Sequence, residues 1–216
     1  TQSNFTVRDT GREPSKSWII GLLCAALGRP RTDTDTVNTL ANLTMGVRVD
    51  REGQILRDFH TAGQGGLEKG YLSADGKGIS KSTIISSRYY LADAAFLVGL
   101  AGDADLLQTL QYALANPRWM LFLGRKACPP ARPIYLPDGL QDKPLLDALT
   151  LYPWLVSTDE QTYQELKKSI RGLRLVLEDQ NGTELKKDRP LSFARGQRQF
   201  ALRRFHTTFT AGLPPY

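Results

Sequence analysis

Between Arg57 and Phe96, two β-like ends, RDFHT and SSRYYLADAAF, enclose a polar excursion. From Ala62 to Ser87 the chain places Gly63, Gly65, Gly66, Gly70, Gly76 and Gly78 beside Lys69, Lys77 and Lys81. Its apolar residues Leu67, Tyr71, Leu72 and Ile79 are scattered singly. Such a segment cannot offset the entropy of ordering itself with a core of its own. A long excursion of this kind inside a compact chain serves a function or stays disordered. The excursion therefore marks the place where the molecule meets something else, and whatever surrounds it must fold without its help.

The rest of the chain is apolar enough to do so. With 216 residues, 41% of them hydrophobic, it is large enough for one big domain or two small ones. Its longest apolar run, Trp18 to Leu27, is about half the ~20 residues of a bilayer span. No charged-then-apolar leader opens the sequence, so the expectation is a cytoplasmic protein with no membrane partner. Cys24 and Cys128 lie far apart without repeated spacing, which predicts reduced thiols and no disulfide framework. Because Thr1 is not a Met, the natural protein is expected to begin upstream.

Several chemistries lack their residues. There is no P-loop, dinucleotide Gly fingerprint, G-x-S-x-G or H-E-x-x-H pattern, and His60 and His206 are the only histidines. No metal and no cofactor is expected. The net charge of +6 lies wholly between Glu165 and His206, where eleven Lys or Arg face five Asp or Glu; elsewhere there are seventeen of each. That basic segment reads either as a phosphate-facing surface or as a solvated face.

The periodicities predict a mixed α+β chain. Ser15 behind Pro14 is the N-cap of a buried helix, SKSWIIGLLCAALG, which Gly28 ends. Asp33 to Leu43 is a second helix, and MGVRVD with QILRDFH across Glu52-Gly53 reads as a hairpin. RYYLADAAFLVGL reads as one long strand, Asp103 caps a helix that Pro117 stops, and Arg118 to Leu123 reads as a further strand. This order fits a ferredoxin-like, RRM-like domain whose first strand is missing, with an inserted hairpin at about 62–87. Residues 1–130 would form that domain and 131–216 a smaller β-rich extension. In the extension, Pro144 to Leu151 is a short helix, Asn181-Gly182 a hairpin turn after the alternating Leu173, Leu175 and Leu177, and the segment around Phe200 an edge strand.

The candidate site residues suit RNA. Ser15, Lys16 and Ser17 open the first helix, where unpaired amides and the dipole favour a phosphate, and Arg12 lies just before them; ordinary capping is the competing reading. Arg57, His60 and Thr61 close one strand at the base of the excursion, while Arg88, Tyr89 and Tyr90 open the strand on its other side. Guanidinium and aromatic groups there could stack on splayed bases or simply pack within a sheet. Arg125 and Lys126 follow Gly124, where backbone can approach a ligand closely or form a solvated turn.

Taken in order, REPSKSWIIGLLCAALG, LRDFHT, SSRYYLADAAFLVGL and LFLGRKACPP resemble the Cas family-five subunits of type I-E CRISPR Cascade complexes, most closely over about Arg12 to Pro130. Such proteins start with a strand and a PMQSWG-like loop, after which Thr1 would follow. The resemblance implies an RRM-like domain with a β-hairpin thumb, carrying Lys69, Lys77 and Lys81, in the place of the excursion. It implies CRISPR RNA as ligand, held by its 5′ handle. It also implies backbone (Cas family-seven) and large (Cas family-eight) subunits as protein partners, and target DNA only indirectly. The expected role is RNA binding without catalysis. Type I-C relatives are metal-independent ribonucleases, and for that alternative His60, Tyr89 and Lys126 would supply base, acid and cation. No His stands beside Lys126, where the type I-C pattern would place one.

Overall fold

The structure, a computed structural model, describes residues 6–63, 71–72, 78–80, 83–156 and 158–215. Lys69, Lys77 and Lys81 of the expected thumb lie outside the described residues. In chain order the described elements are β1 (Val7–Arg8), α1 (Lys16–Leu27), α2 (Thr34–Ala41), β2 (Thr44–Arg51), β3 (Gln54–Ala62), β4 (Tyr71–Leu72), β5 (Ile79–Ser80), β6 (Ile84–Ala92) and β7 (Ala95–Ala101), followed by α3 (Ala104–Ala115), α4 (Leu145–Leu151), α5 (Glu160–Ser169), β8 (Arg174–Glu178), β9 (Glu184–Ser192) and β10 (Gln199–Phe209). The chain is α+β and divides into two compact units, residues 1–12 with 51–95, and residues 13–50 with 96–216.

The larger unit is built on a five-stranded sheet in the order β7-β2-β8-β10-β9. Both faces of β2, between β7 and β8, are covered, as the burial of Met45 through Asp50 requires. On one face, Met45, Val47 and Val49 pack with Ile20 and Leu23 of α1, Val37 and Leu40 of α2, and Leu110 of α3. α1 is apolar on nearly every side, which is why it lies buried. Ser15 caps its start and Gly28, at φ 69°, ends it in the left-handed region where glycine has no side-chain penalty.

The opposite face carries Gly46, Arg48 and Asp50 under α4. Arg48 is 0% exposed and donates to Asp50 through Nε (2.6 Å) and Nη2 (2.8 Å). It also donates to the carbonyls of Leu149, Tyr152 and Pro153. Asp50 in turn accepts the Leu155 N–H at 2.8 Å. The polar half of the alternating MGVRVD pattern is therefore buried as an ionic clamp that holds the segment after α4. Leaving either charge unpaired at such depth would be costly.

The smaller unit holds the three-stranded sheet β1-β6-β3 and the two-residue pair β4-β5. β3 runs antiparallel to β6 from Gln54↔Ala92 to Ala62↔Ile84, and β1 is parallel to β6.

Several sequence expectations are corrected. β2 and β3 do not form a hairpin with each other; they belong to different sheets, and β3 pairs with β6. The long strand RYYLADAAFLVGL is two strands, broken where Asp93 adopts φ 55°, with Arg51 bonded to its carbonyl (2.7 Å) and carboxylate (2.6 Å). Asp tolerates this left-handed geometry better than most residues. Arg118 to Leu123 is not a strand; its amides at Arg118 and Trp119 bond the last carbonyls of α1. Asn181-Gly182 does not join paired strands, because β10 lies between β8 and β9 and is internal rather than an edge. The five-stranded sheet takes strands from both sides of residue 130, so the sheet itself has no division there.

Candidate nucleic-acid interface

The expected residues fall into both units. In the smaller one, strand alternation sorts them by face. Arg57 lies opposite Tyr89, Phe59 opposite Ser87 and Thr61 opposite Ile85, so these share one face with Val7 and Ile55. Asp58 lies opposite Arg88, His60 opposite Ser86 and Leu56 opposite Tyr90, and these share the other face with Arg8. His60 and Arg57 thus project from opposite sides, as do His60 and Tyr89.

On the first face Arg57 Nη2 donates to Ser87 Oγ at 3.1 Å. Around it Val7, Ile55, Phe59 and Ile85 are exposed, Phe59 by 61%. On the second face His60 Nε2 stands 3.0 Å from Asp58 Oδ2. Arg88 Nε is buried without a hydrogen-bond partner. This sheet therefore leaves large apolar side chains and cationic groups facing outward on strands, a composition that fits an extended ligand better than bulk water. Phe59 was missed by sequence reasoning. The signal was its shared parity with Arg57 in QILRDFH, which sets it on the guanidinium's face.

In the larger unit the start of α1 is already satisfied from within. Ser15 Oγ accepts the Trp18 N–H at 3.3 Å and lies 3.2 Å from Ser17 Oγ. The Lys16 amide donates to Asp188 Oδ2 at 3.0 Å, so a protein carboxylate holds the anion position at this N-terminus. The Lys16 side chain is 1% exposed and donates to both oxygens of Glu178, at 2.8 and 2.7 Å. Burial draws its pKa below the usual lysine value in spite of Glu178. Lys16 is thus held as a cation within the fold, and its burial leaves the ammonium little access to a phosphate.

Asp188 also accepts two bonds from Arg203, at 2.9 Å each. Glu13 joins Arg174 (3.0 Å) and Lys186 (2.8 Å); burial alone would raise its carboxyl, but Lys186 and Arg174 together hold it below the usual range. Arg12, by contrast, is exposed. Arg125 is half-buried and Lys126 exposed, after Gly124 at φ 80°, in a turn closed by Cys128 N–H to Arg125 O at 2.9 Å. Cys24 is buried, which raises its thiol to about 11 and keeps it unreactive. Among the described residues no three His, Cys, Asp or Glu side chains gather as a metal-binding group, and no helix is long and apolar enough to cross a membrane.

Comparison with known proteins gives one consistent answer. The family model for CRISPR-associated protein (Cas_Cas5) matches residues 1–206. The CRISPR system Cascade subunit CasD of Escherichia coli (strain K12) is 36% identical over 142 residues, which is 60% of this chain and 60% of that relative's length. A solved structure described as a Cas protein is 38% identical, with a TM-score of 0.72 over 97% of this chain and 88% of its own. A chain of a CRISPR RNA-guided surveillance complex is 33% identical, with a TM-score of 0.75 over 97% of this chain and 83% of its own. With its sequence matched almost from end to end and its fold shared with these chains, the protein belongs to the Cas5 family of CRISPR-associated proteins.

Proposed function

We propose that the protein is a non-catalytic RNA-binding subunit of a Cascade-type surveillance complex that holds the 5′ handle of the CRISPR RNA and caps the backbone filament. The observation that carries this reading is the three-stranded sheet, one face of which leaves Phe59, Ile55 and Ile85 exposed beside the exposed guanidinium of Arg57. In this reading the larger unit is the RRM-like body. The β3–β6 ribbon is the thumb, its tip lying outside the described residues. Arg12, Arg125 and Lys126 contact phosphates and fix register, while Arg57, Arg88 and His60 stand near unstacked bases and supply preference. Ser15 serves as the helix cap, with the Ser17 hydroxyl beside it. The protein partners are the backbone and large subunits, and target DNA is met through the RNA.

Neutralising Arg125 and Lys126 together should weaken binding of cognate repeat RNA and lower the salt slope by about 1.4, since each contact on a single strand contributes about 0.7. Unchanged affinity and slope would remove both residues from the interface. The ribonuclease alternative needs His60 and Tyr89 to converge on one phosphate, yet they project from opposite faces of one sheet. Incubation with repeat RNA in chelator should leave the RNA intact. Specific cutting that His60→Ala abolishes would establish the alternative.

A further inference from the structure

Residues 118–124 form a strap along α1. The N–H groups of Arg118 and Trp119 donate to the carbonyls of Ala26 (2.9 Å) and Ala25 (3.2 Å), near the C-terminal end of the helix. The Phe122 carbonyl accepts the Trp18 indole N–H at 3.4 Å, near its N-terminal end. Trp18 and Ala25 are seven residues apart in one helix, about 10 Å along its axis, so the strap runs antiparallel to α1. Gly124 closes against the Trp18 ring, where a Cβ would lie 3.3 Å from the indole.

This course turns Trp119 (49% exposed) and Met120 (75%) outward at one end and delivers Arg125 and Lys126 at the other. Tyr112, on the last turn of α3 just before the strap, is exposed as well. The surrounding sequence is one-signed: from Leu106 to Pro137 there is no Asp or Glu, against Arg118, Arg125, Lys126 and Arg132. An exposed indole on a backbone pinned to a buried helix, in a stretch without acids, is the combination that binds single strands, where a ring stacks on a base and nearby cations follow the phosphates.

We propose that the strap is a stacking platform for an unpaired base of single-stranded RNA, with Trp119 taking the base and Arg125 and Lys126 the phosphates further along. This rests on the RNA-binding reading above. A protein partner would gain from the apolar surface but would need acidic side chains of its own to meet the cations, whereas RNA brings both the ring face and the charge in every nucleotide.

The test uses the full chain and a labelled single-stranded RNA of the cognate repeat, titrated at several salt concentrations. Trp119→Ala should weaken binding on the order of ten- to a hundred-fold at unchanged salt slope and unchanged melting temperature, because the lost group is neutral and half exposed. Trp119→Phe should restore most of the affinity. RNA should quench tryptophan emission in the wild type, and Trp119→Phe should abolish the quenching. If Trp119→Ala binds as tightly as the wild type while Arg125→Ala/Lys126→Ala is weakened, the platform is wrong and the RNA interface stands. If neither variant alters binding, the RNA-binding reading of this unit fails. If Trp119→Ala leaves RNA affinity intact but prevents assembly with the other subunits, the strap is a protein-docking surface and the inference is overturned.

Discussion

Replacing Lys16 by alanine separates a cation that serves the fold from one that serves a ligand. Its ammonium is 1% exposed and joined to both Glu178 oxygens, while the Glu178 side chain is 20% exposed and also accepts the Met45 N–H at 3.0 Å. Removing one partner of a buried ion pair costs about 3–5 kcal/mol, because the other charge is left uncompensated. Glu178 would keep its amide donor and some contact with water, which places Lys16→Ala near the lower end, about 3 kcal/mol. For a chain of this size that lowers the melting temperature by about 6–12 °C. Burial draws the Lys16 pKa down in spite of Glu178, with the charges of Arg203 and Arg189 adding to the fall, so the ammonium is charged here at a cost. Hence Lys16→Met with Glu178→Gln, which removes both charges and keeps an acceptor for Met45, should recover most of the loss. Calorimetric melting of the single and double variants measures this, alongside RNA affinity well below the transition. A Lys16→Ala protein that melts like the wild type but loses affinity and salt dependence would refute the structural assignment and return Lys16 to the phosphate.

Two other expectations follow from buried contacts in the larger unit. The Glu13 carboxyl, held below its usual pKa of 4.5 once the raising effect of burial is outweighed by Lys186 and Arg174, contributes stability that is fully present above pH 4.5 and lost as pH falls through its folded-state value. Melting temperatures of Glu13→Gln should therefore fall less between pH 5 and pH 3 than those of the wild type, and parallel curves would contradict the assignment. Gly182→Ala should destabilise by about 1–3 kcal/mol or more in chemical denaturation, because its Cβ would lie 2.4 Å from the Phe205 carbonyl oxygen and 2.7 Å from its nitrogen, backbone atoms that cannot swing aside. A neutral substitution would mean that this approach is looser than the structure has it.

What could be read from the sequence was whatever depends on neighbours along the chain. The caps Ser15, Asp33 and Asp103 each bond an amide three residues on, and Gly28 ends its helix within one residue, so α1, α2 and α3 were legible. α5 was missed, although Asp159 caps it in the same way through Thr162. Strand partners were not legible, because pairing is decided by distant segments. Asn181-Gly182 has the composition of a hairpin turn, yet β10 inserts between the flanking strands and the glycine is needed for its close approach to Phe205. Among the site residues, Arg57 and His60 looked like neighbours in LRDFHT, and strand parity sends them to opposite faces. Lys16 looked available because its helix N-terminus was visible in the sequence and Glu178 and Asp188, more than 160 residues away, were not.

The same distinction changes where the ligand-facing charge should be sought. Counting along the chain places the whole excess of +6 between Glu165 and His206. Three of that segment's eleven cations are held in ion pairs within the larger unit: Arg174 and Lys186 by Glu13, and Arg203 by Asp188. A cation already paired at 3 Å releases little when a phosphate arrives, since it must first leave a partner of the same charge as the phosphate. The stretch from Leu106 to Pro137 adds only four cations to the count and no acid to oppose them. Net charge along a sequence measures how many cations a chain carries, whereas binding depends on how many the fold leaves uncompensated at the surface. By that measure Lys126, exposed in its turn, is better placed to meet a phosphate than Arg174, Lys186 and Arg203, which Glu13 and Asp188 already hold.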